Sequence, residues 1–362
     1  MKKGKTKKKA IILVIVVCMI TLLLGGWGML SASVYDENIN QRLESYEPLM
    51  LRVEDFDGLQ CTEYEFPSDK GQVLAGALYS SGSNQGGIII IAHGYGGGHN
   101  SYMDCANYFA KHGYYVFAYD ATGNDKSEGD GVGGFPQGVV DLDHAISFVE
   151  ESGNFPDLPI GLFGHSWGGY SVCSVLTYHP EVKSVIECCG CNRSSDLFEA
   201  VGKAMAGDVI YTMMPFVKLH EWMKYGTYAV HSAMDGFEAS KAAILIAHSE
   251  DDDVVPVQYG YNLYYAKYKD DPRFTFLHFE DKGHNDFFID SDNRYKDEFN
   301  AAFDQWLETL SYDYEAEENK DRFMEEKAAY ITAHLDRARW SNRLDEELFE
   351  QFLSFYNDNM SE

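Results

Sequence analysis

The stretch that decides the fold is 160–170, which reads IGLFGHSWGGY. Its first four residues form a short apolar run, which is typical of a buried strand. The next five, 164–168, match the pattern G-x-S-x-G, and helical spacing follows them. A strand, a tight turn and a helix form the setting in which a serine hydroxyl is raised above a sheet. An ordinary glycine–serine turn is the alternative, but its neighbours favour a nucleophile at Ser166, supported by Gly164 and Gly168.

Outward from this turn, short apolar runs alternate with segments of helical spacing. We predict strands at 61–66, 73–79, 88–92, 114–119, 160–163, 182–188, 243–247 and 274–279, and helices at 102–112, 139–149, 170–178, 258–267 and 295–310. Fully apolar runs between helices indicate a mostly parallel sheet with helices on both faces. The first two runs, joined by a turn at 67–71, are typical of an antiparallel edge hairpin. The predicted fold class is therefore α/β.

Three segments depart from this alternation. Residues 192–241 contain no clear strand and are helical and rich in methionine, so we predict an inserted helical cap there. Residues 31–57 are polar and mixed, which is typical of a stalk. Residues 311–362 are acidic and helical, and we predict a C-terminal extension that follows a central domain at 58–310.

A serine hydroxyl needs a base, and that base needs an acid to orient it. In a sheet of this kind the acid follows a late strand and the histidine follows the last strand. His284 lies in a loop after the run at 274–279, next to a glycine, and we predict that it is the base. Four consecutive acids, 250–253, follow the run at 243–247, and their local sequence does not choose among them.

The developing negative charge of the reaction needs backbone N–H groups aimed at it, which together form an oxyanion hole. One N–H is expected from Trp167, the residue after the nucleophile. The second is expected from the loop after the run at 88–92, which begins His93-Gly94-Tyr95 and continues with three glycines. We predict that Tyr95 supplies this N–H. Phosphate binding by the glycine-rich loop is the alternative, but no Gly-Lys-Ser/Thr follows it.

The N-terminus begins with six lysines in residues 1–9, and an uncharged apolar run follows at 10–30. This run is long enough to span a bilayer as a helix, and the lysines predict that the N-terminus is cytoplasmic and the body is outside. The alternative is a cleavable signal peptide with its apolar region at 10–24 and a weak cleavage site at 31–33. We favour the anchor because the apolar run exceeds the usual length in a signal peptide.

The charge of the chain is distributed unevenly. The formal net charge is −28, from 29 Lys+Arg and 57 Asp+Glu. Residues 1–30 carry six lysines and no acid, so residues 31–362 carry −34. Such a body would repel a phosphate backbone, which argues against nucleic-acid binding, and it disfavours flat docking on an anionic membrane. With 45% hydrophobic and 14% aromatic residues, the chain is too apolar to be disordered.

The seven cysteines do not have the spacing of a small disulfide scaffold. One cluster, Cys188-Cys189-Gly190-Cys191, lacks a second pair of ligands at a spacing familiar from metal sites. We interpret these cysteines as small apolar residues of a strand. We expect no metal or organic cofactor.

Four ordered motifs together resemble the α/β-hydrolase fold superfamily over roughly residues 60–310. They are His93-Gly94 with its glycine tail, the stretch DATGNDKSEG at 120–129, the stretch GHSWGG at 164–169, and the segments around Asp252 and His284. The stretch SEDDDVVP at 249–256 is similar to the family's G-x-x-D-x-x-V-P, and this resemblance selects Asp252 as the acid. Gly283-His284 matches the family's G-H.

This resemblance has departures. Thr122 and Asp125 stand where the family has arginine and a second glycine, and Ser249 replaces a glycine of the acid motif. None of these changes removes a catalytic group.

Within the superfamily the chain is most similar to the lysophospholipase, monoglyceride-lipase and serine-aminopeptidase-like branch, and Gly168-Gly169-Tyr170 also resembles prolyl-oligopeptidase-type peptidases. The resemblance implies a serine hydrolase with the triad Ser166, His284 and Asp252, acting on a small-molecule ester, a lipid or a short peptide. We expect ester cleavage through an acyl-enzyme. The alternatives are a peptidase that uses the same triad and, against the intact triad, a non-catalytic binding module.

Overall fold

The computed structural model describes the backbone of residues 2–82 and 84–360, and the side chains of residue 9 and of residues 11–82 and 84–360. The other side chains of the predicted basic stub, residues 1–9, lie outside the described residues. The strands are β1 Gln60–Pro67, β2 Val73–Ser80, β3 Ile88–Ala92, β4 Tyr115–Tyr119, β5 Ile160–His165, β6 Ser184–Cys188, β7 Ala243–Ser249 and β8 Phe274–Phe279. The helices are α1 Lys2–Ile39, α2 Met103–Lys111, α3 Gln137–Glu151, α4 Trp167–Ser174, α5 Ser194–Ala206, α6 Ile210–Tyr225, α7 Ala233–Ala239, α8 Tyr261–Tyr268, α9 Tyr295–Glu308, α10 Lys320–His334, α11 Arg337–Ser341 and α12 Glu346–Asn359.

The eight strands form one sheet in the order β1-β2-β4-β3-β5-β6-β7-β8. Strands β3 to β8 pair in parallel, and β2 is antiparallel to both of its neighbours. Every residue of β3, β5 and β6 is buried, as expected for strands covered by helices on both faces. The predicted α/β class, the edge hairpin and all eight strands are confirmed.

Helix α4 differs from its predicted position, 170–178, because it begins directly after the nucleophile turn, at Trp167. The glycines at 168 and 169 hide this start from a periodicity argument, since they carry no apolar side chain. The early start matters because the first N–H groups of a helix are unpaired and carry partial positive charge. Those groups lie next to Ser166.

The insertion between β6 and β7 consists of helices α5, α6 and α7, with no strand among its described residues. Residues 192–241 are thus helical, as expected, and their role as a cap over the site stays a prediction. Its methionines divide between two environments: Met213 and Met214 are buried, whereas Met205 and Met223 are exposed.

The C-terminal extension packs into the main core. Helix α12 lies with α2 on one face of the sheet, and it buries Leu348, Phe349, Phe352, Phe355 and Tyr356 there. The hydroxyl of Tyr356 donates a hydrogen bond to the carbonyl of Leu162 in β5, at 2.7 Å. Residues beyond 310 are therefore part of the core of the domain that the sequence predicts to end there.

Helix α1 is long and apolar enough over Ile11–Ile39 to cross a membrane, by length and composition, and an 18-residue window of it has a mean hydropathy of 2.6. It continues past residue 30 into the predicted stalk, 31–57. Ser31, Tyr35 and Ile39 are buried at intervals of four residues, which places them on one face of the helix, toward the cap. The predicted stalk is thus helical in its first part and packed against the body.

Candidate active site

Ser166 occupies the sharp turn between β5 and α4. Its φ of 58° lies in the left-handed region, which non-glycine residues seldom occupy, so the turn holds it under strain. A Cβ on Gly164 would lie 2.3 Å from the carbonyl oxygen of Gly168, and one on Gly168 would lie 1.9 Å from that of Ala92. Both glycines are therefore required for the close approach of the turn to β3, as the G-x-S-x-G pattern predicts.

The structure brings Ser166, His284 and Asp252 together although 118 residues separate the first two. The hydroxyl of Ser166 donates to Nε2 of His284 at 2.9 Å. Nδ1 of His284 donates to Oδ2 of Asp252 at 2.7 Å. All three residues are buried. A hydroxyl, an imidazole and a carboxylate in this order can transfer the hydroxyl proton to the imidazole.

Among the four consecutive acids, Asp252 alone is buried, with 4% of its surface exposed. Its Oδ1 accepts hydrogen bonds from the N–H groups of Val254 and Val255, which leaves Oδ2 for His284. Burial by itself would raise the pKa of this carboxyl, but hydrogen bonds from His248 and His284 outweigh burial and hold it well below its usual range. Asp252 therefore stays ionised at neutral pH.

His248 is a second imidazole on the same carboxylate, and the sequence argument did not identify it. Its Nε2 lies 3.2 Å from Oδ2 of Asp252 and 2.8 Å from the carbonyl oxygen of Val255. Glu187 of the neighbouring strand is fully buried on the same side of the sheet, and burial raises its pKa to about 7. The spacing of four residues between His248 and Asp252 is the only signal in the sequence, and it is weak.

The two residues predicted to form the oxyanion hole lie on the wall of one cavity with Ser166 and His284. Among the described turn and loop hydrogen bonds, the backbone N–H groups of Tyr95 and Trp167 have no acceptor. Such N–H groups are available to an oxygen that develops negative charge near Ser166.

A chain of hydrogen bonds joins the loop of the oxyanion hole to the histidine loop. The hydroxyl of Tyr102 accepts from the N–H of Gly94 at 3.0 Å and donates to Nδ1 of His165 at 2.8 Å. Nε2 of His165 then donates to the carbonyl of His284 at 3.1 Å. Burial lowers the pKa of His165 to about 3, so this ring is neutral and can both accept and donate. Sequence reasoning missed Tyr102, because only the fold brings it to the turn.

The other residues of the glycine-rich motif and of the 120–129 motif make hydrogen bonds between and within the loops that follow β3 and β4. His93 accepts the N–H of Ala121 on Nε2 at 2.9 Å, and its Nδ1 donates to the carbonyl of Gly94. Thr122, which stands in place of the family's arginine, binds the buried Asp141 through both its N–H and its hydroxyl. Asp125 adopts a φ of 38°, the left-handed conformation that suits the glycine expected at this position.

The cavity above Ser166 has a volume of about 370 Å³, which is in the range of small-molecule sites. One part of its wall is apolar and comes from cap helix α5 and the loop after β7, at Leu197, Val201 and Val254. Another part is charged. Arg343 of the C-terminal extension donates through Nε to Asp104 at 2.8 Å, and Lys296 pairs with Asp286.

Two groups of side chains near the site have metal-like spacing, Cys189 with His248 and Asp252, and Cys189 with His165 and His284. Asp252 already binds both His248 and His284. The arrangement therefore fits an acid held by two imidazoles.

Comparison with known proteins agrees with this fold. The family profile described as serine aminopeptidase S33 matches residues 83–220. A Pyrococcus furiosus esterase structure superposes with a TM-score of 0.54 at 16% identity, covering 76% of this chain and 98% of the esterase. The chain therefore has the α/β-hydrolase fold. The same fold superposes on an acylaminoacyl peptidase, with a TM-score of 0.50 at 17% identity, covering 72% of this chain and 44% of the peptidase.

Among curated sequences, the monoglyceride lipase of Rattus norvegicus is 31% identical over 101 residues. That match covers 27% of this chain and 33% of the lipase, so the chain matches about a third of the length of this relative. The mouse enzyme matches over the same length with the same identity. At 16% and 17% identity, the similarity to the esterase and to the acylaminoacyl peptidase shows a shared fold alone.

Proposed function

We propose that this α/β hydrolase is a membrane-anchored serine hydrolase that faces outside the cytoplasm and cleaves carboxylic esters. The observation that carries the proposal is the continuous line of hydrogen bonds from Ser166 through His284 to Asp252 beside a cavity. Each group has the type and position that acyl transfer requires.

In the proposed reaction Ser166 attacks the ester carbonyl, and His284 takes its proton and passes it to the leaving alcohol. Asp252 holds the tautomer of His284 and stabilises the imidazolium that forms. The N–H groups of Tyr95 and Trp167 bind the oxyanion of the tetrahedral intermediate. A water activated by His284 then hydrolyses the acyl-enzyme.

The apolar wall of the cavity supports an ester with an apolar acyl group. Leu197 and Val201 face the cavity from the cap, and Val254 closes it from the loop of the acid. The sequence match to a monoglyceride lipase agrees with such a substrate. We therefore propose small or lipid esters as the substrate class.

A peptidase with the same triad is the second candidate, and the charged wall of the cavity favours it. Asp104 and Asp286 could pair with an amino terminus, and Arg343 could pair with a carboxylate. The family profile is described as a serine aminopeptidase, which agrees with this alternative.

We propose that α1 is an uncleaved anchor. The helix runs without a break across 31–33, where a signal peptide would be cut, and Ser31 and Tyr35 are fully buried there. A signal peptidase, which cuts an extended and accessible chain, would first have to unpack this segment. Deletion of residues 1–30 should release active protein into the soluble fraction, and continued membrane association would contradict the anchor as the sole attachment.

A fluorophosphonate probe tests the catalytic assignment, because it reacts with activated serines. We expect labelling of the wild type, loss of labelling in Ser166→Ala, and retained labelling in Ser101→Ala, a matched control at another serine of the cavity wall. Equal labelling of Ser166→Ala and wild type would overturn the assignment. Absence of labelling in the wild type would favour the non-catalytic binding module.

Substrate class is tested by comparing p-nitrophenyl esters of increasing chain length with aminoacyl and Xaa-Pro anilides. Ester turnover that exceeds anilide turnover and disappears in Ser166→Ala supports the esterase. Anilide preference with negligible ester turnover would reject it in favour of the peptidase.

A further inference from the structure

Tyr95, whose N–H is proposed to bind the oxyanion, reaches the end of the membrane helix with its side chain. Its hydroxyl donates to the carbonyl of Ile39 at 2.9 Å. This carbonyl belongs to the last turn of α1, where carbonyl groups lack partners within the helix. The ring of Tyr95 also lies edge-on to Trp167, with 6.0 Å between ring centroids.

Trp167, which carries the second N–H of the proposed oxyanion hole, is tied to the same helix by a separate route. Its Nε1 donates to the carbonyl of Phe135 at 2.7 Å, and the N–H of Phe135 donates to the hydroxyl of Tyr35 at 3.0 Å. The hydroxyl of Tyr35 donates in turn to Oε1 of Glu221 in cap helix α6 at 2.6 Å. Tyr35, Glu221 and Trp167 are each at most 1% exposed, so water does not compete for these bonds.

The end of α1 is itself fixed against the body. Asp36 pairs with His220 at 3.0 Å and with Lys224 at 3.1 Å, both in α6. Just beyond the helix, Arg42 donates to three backbone carbonyls in the loop at 125–129. A helix end held on both sides is a rigid support for the groups that bind to it.

We propose that Tyr35 and Tyr95 are positioning residues, through which the membrane-proximal end of α1 sets the two N–H groups of the oxyanion hole. This inference rests on the proposed serine hydrolase function. The physical basis is that donors of an oxyanion hole act only when held close to the place where charge develops. The two donors lie on different loops, after β3 and after β5. Helix α1 contacts the side chain of Tyr95 directly and that of Trp167 through the backbone of Phe135.

The links are made by the two hydroxyl groups, whereas ring packing is a separate contribution. Replacement of tyrosine by phenylalanine removes the hydroxyl and keeps the ring, so it tests the links without creating a cavity. Glu37→Gln is the matched control on the same turn of α1, because Glu37 is exposed and its side chain accepts a hydrogen bond from Ser33 of the same helix.

The test uses the full-length protein in detergent micelles and a p-nitrophenyl ester. We expect Tyr35→Phe and Tyr95→Phe each to lower kcat by about 10-fold with KM within about 2-fold, because complete loss of one such donor costs about 100-fold or more. A trifluoromethyl ketone forms a tetrahedral oxyanion when the Ser166 hydroxyl adds to its carbonyl. Its affinity for each tyrosine variant should fall by the same factor as kcat. Glu37→Gln should change neither quantity.

Unchanged kcat and unchanged ketone affinity in both tyrosine variants would overturn the inference, as would equal losses in Glu37→Gln. If Tyr35→Phe does not fold, Tyr95→Phe decides alone, since Tyr95 is only partly buried. If the wild type shows no ester turnover that depends on Ser166, the proposed function is refuted. If the wild type and both tyrosine variants turn over the ester equally well, only the positioning role is refuted.

Discussion

The two ends of the chain meet the candidate site on different faces of the sheet and by different chemistry. On one face, Tyr35 and Ile39 of α1 make hydrogen bonds that lead to the N–H groups at Tyr95 and Trp167. On the other, α12 covers the sheet with aromatic side chains.

The C-terminal end also reaches the histidine loop. Lys282, two residues before His284, pairs with Asp345 at the start of α12, and the segment before α12 pairs with residue 289 through a β-bridge. The N-terminal end therefore acts on the site through a few polar links, whereas the C-terminal end contributes mainly core packing. Changes at the first should alter turnover more than stability, and changes at the second should do the reverse.

The largest expected effect is loss of folding when α12 is deleted. Removal of residues 346–362 deletes five large buried side chains. Burial of each contributes about 1.5–3 kcal/mol to stability, and the total stability of a typical domain is only about 5–15 kcal/mol. Deletion of residues 1–30 should leave the fold intact, because the apolar window of α1 is not buried. Circular dichroism and solubility after purification check both. Cooperative unfolding of a protein that lacks α12 would contradict the proposed role of the C-terminal end in core packing.

A single buried residue of α12 should show the same effect on a smaller scale. Phe352 is fully buried against Phe163 of β5, so Phe352→Ala should lower the free energy of unfolding by about 3–5 kcal/mol. Below its melting temperature the variant should keep kcat within about 2-fold. Gln351→Ala, at the exposed neighbouring position, should stay within about 0.5 kcal/mol of the wild type. Chemical denaturation with parallel ester assays measures both quantities.

Where the N-terminal helix α1 contacts cap helix α6, stability should depend on pH through Glu221, which accepts a hydrogen bond from Tyr35. Burial raises the pKa of this carboxyl from 4.5 to about 7, although hydrogen bonds from Tyr35 and Ser194 oppose the shift. The unfolded chain releases the proton near pH 4.5, so the stability from this group is complete below that pH and falls as the pH rises toward 7. The loss is about 3 kcal/mol, from about 1.4 kcal/mol per pKa unit.

Glu221→Gln should remove this dependence, since the amide cannot ionise and can still accept from Tyr35. Relative to the wild type, the variant should gain stability between pH 4.5 and pH 8 in thermal unfolding. A constant difference between the two proteins over this range would show that Glu221 is ionised in the folded state throughout.

These contacts also mark how far the sequence alone can predict the site. Ser166 and His284 could be placed because their neighbours dictate local backbone geometry: glycines allow the turn at Ser166, and a glycine precedes His284. Asp252 needed the family resemblance, because four consecutive acids offer the same chemistry and only burial distinguishes them. Residues such as Tyr35 could not be identified, since its partners at 135 and 221 are about a hundred or more positions away.

The smallest expected effect concerns the ion pair that joins α12 to the histidine loop. Asp345 begins α12, accepts from the N–H of Leu348 and pairs with Lys282 at 2.5 Å. Asp345→Asn keeps a good helix-capping side chain and removes the charge, so it isolates the ion pair. Because both side chains remain partly exposed, we expect a loss of about 0.5–1 kcal/mol that shrinks in 1 M salt.

Turnover should change by less than about 2-fold in Asp345→Asn, because the hydrogen bonds of His284 to Ser166, Asp252 and His165 remain. Ester kinetics and thermal unfolding at low and high salt provide the measurement. A loss of kcat comparable with that of Tyr95→Phe, at unchanged stability, would mean that the C-terminal end also acts on the site through a polar link. The contrast between the two ends would then fail, since each would hold one half of the catalytic machinery in the same way.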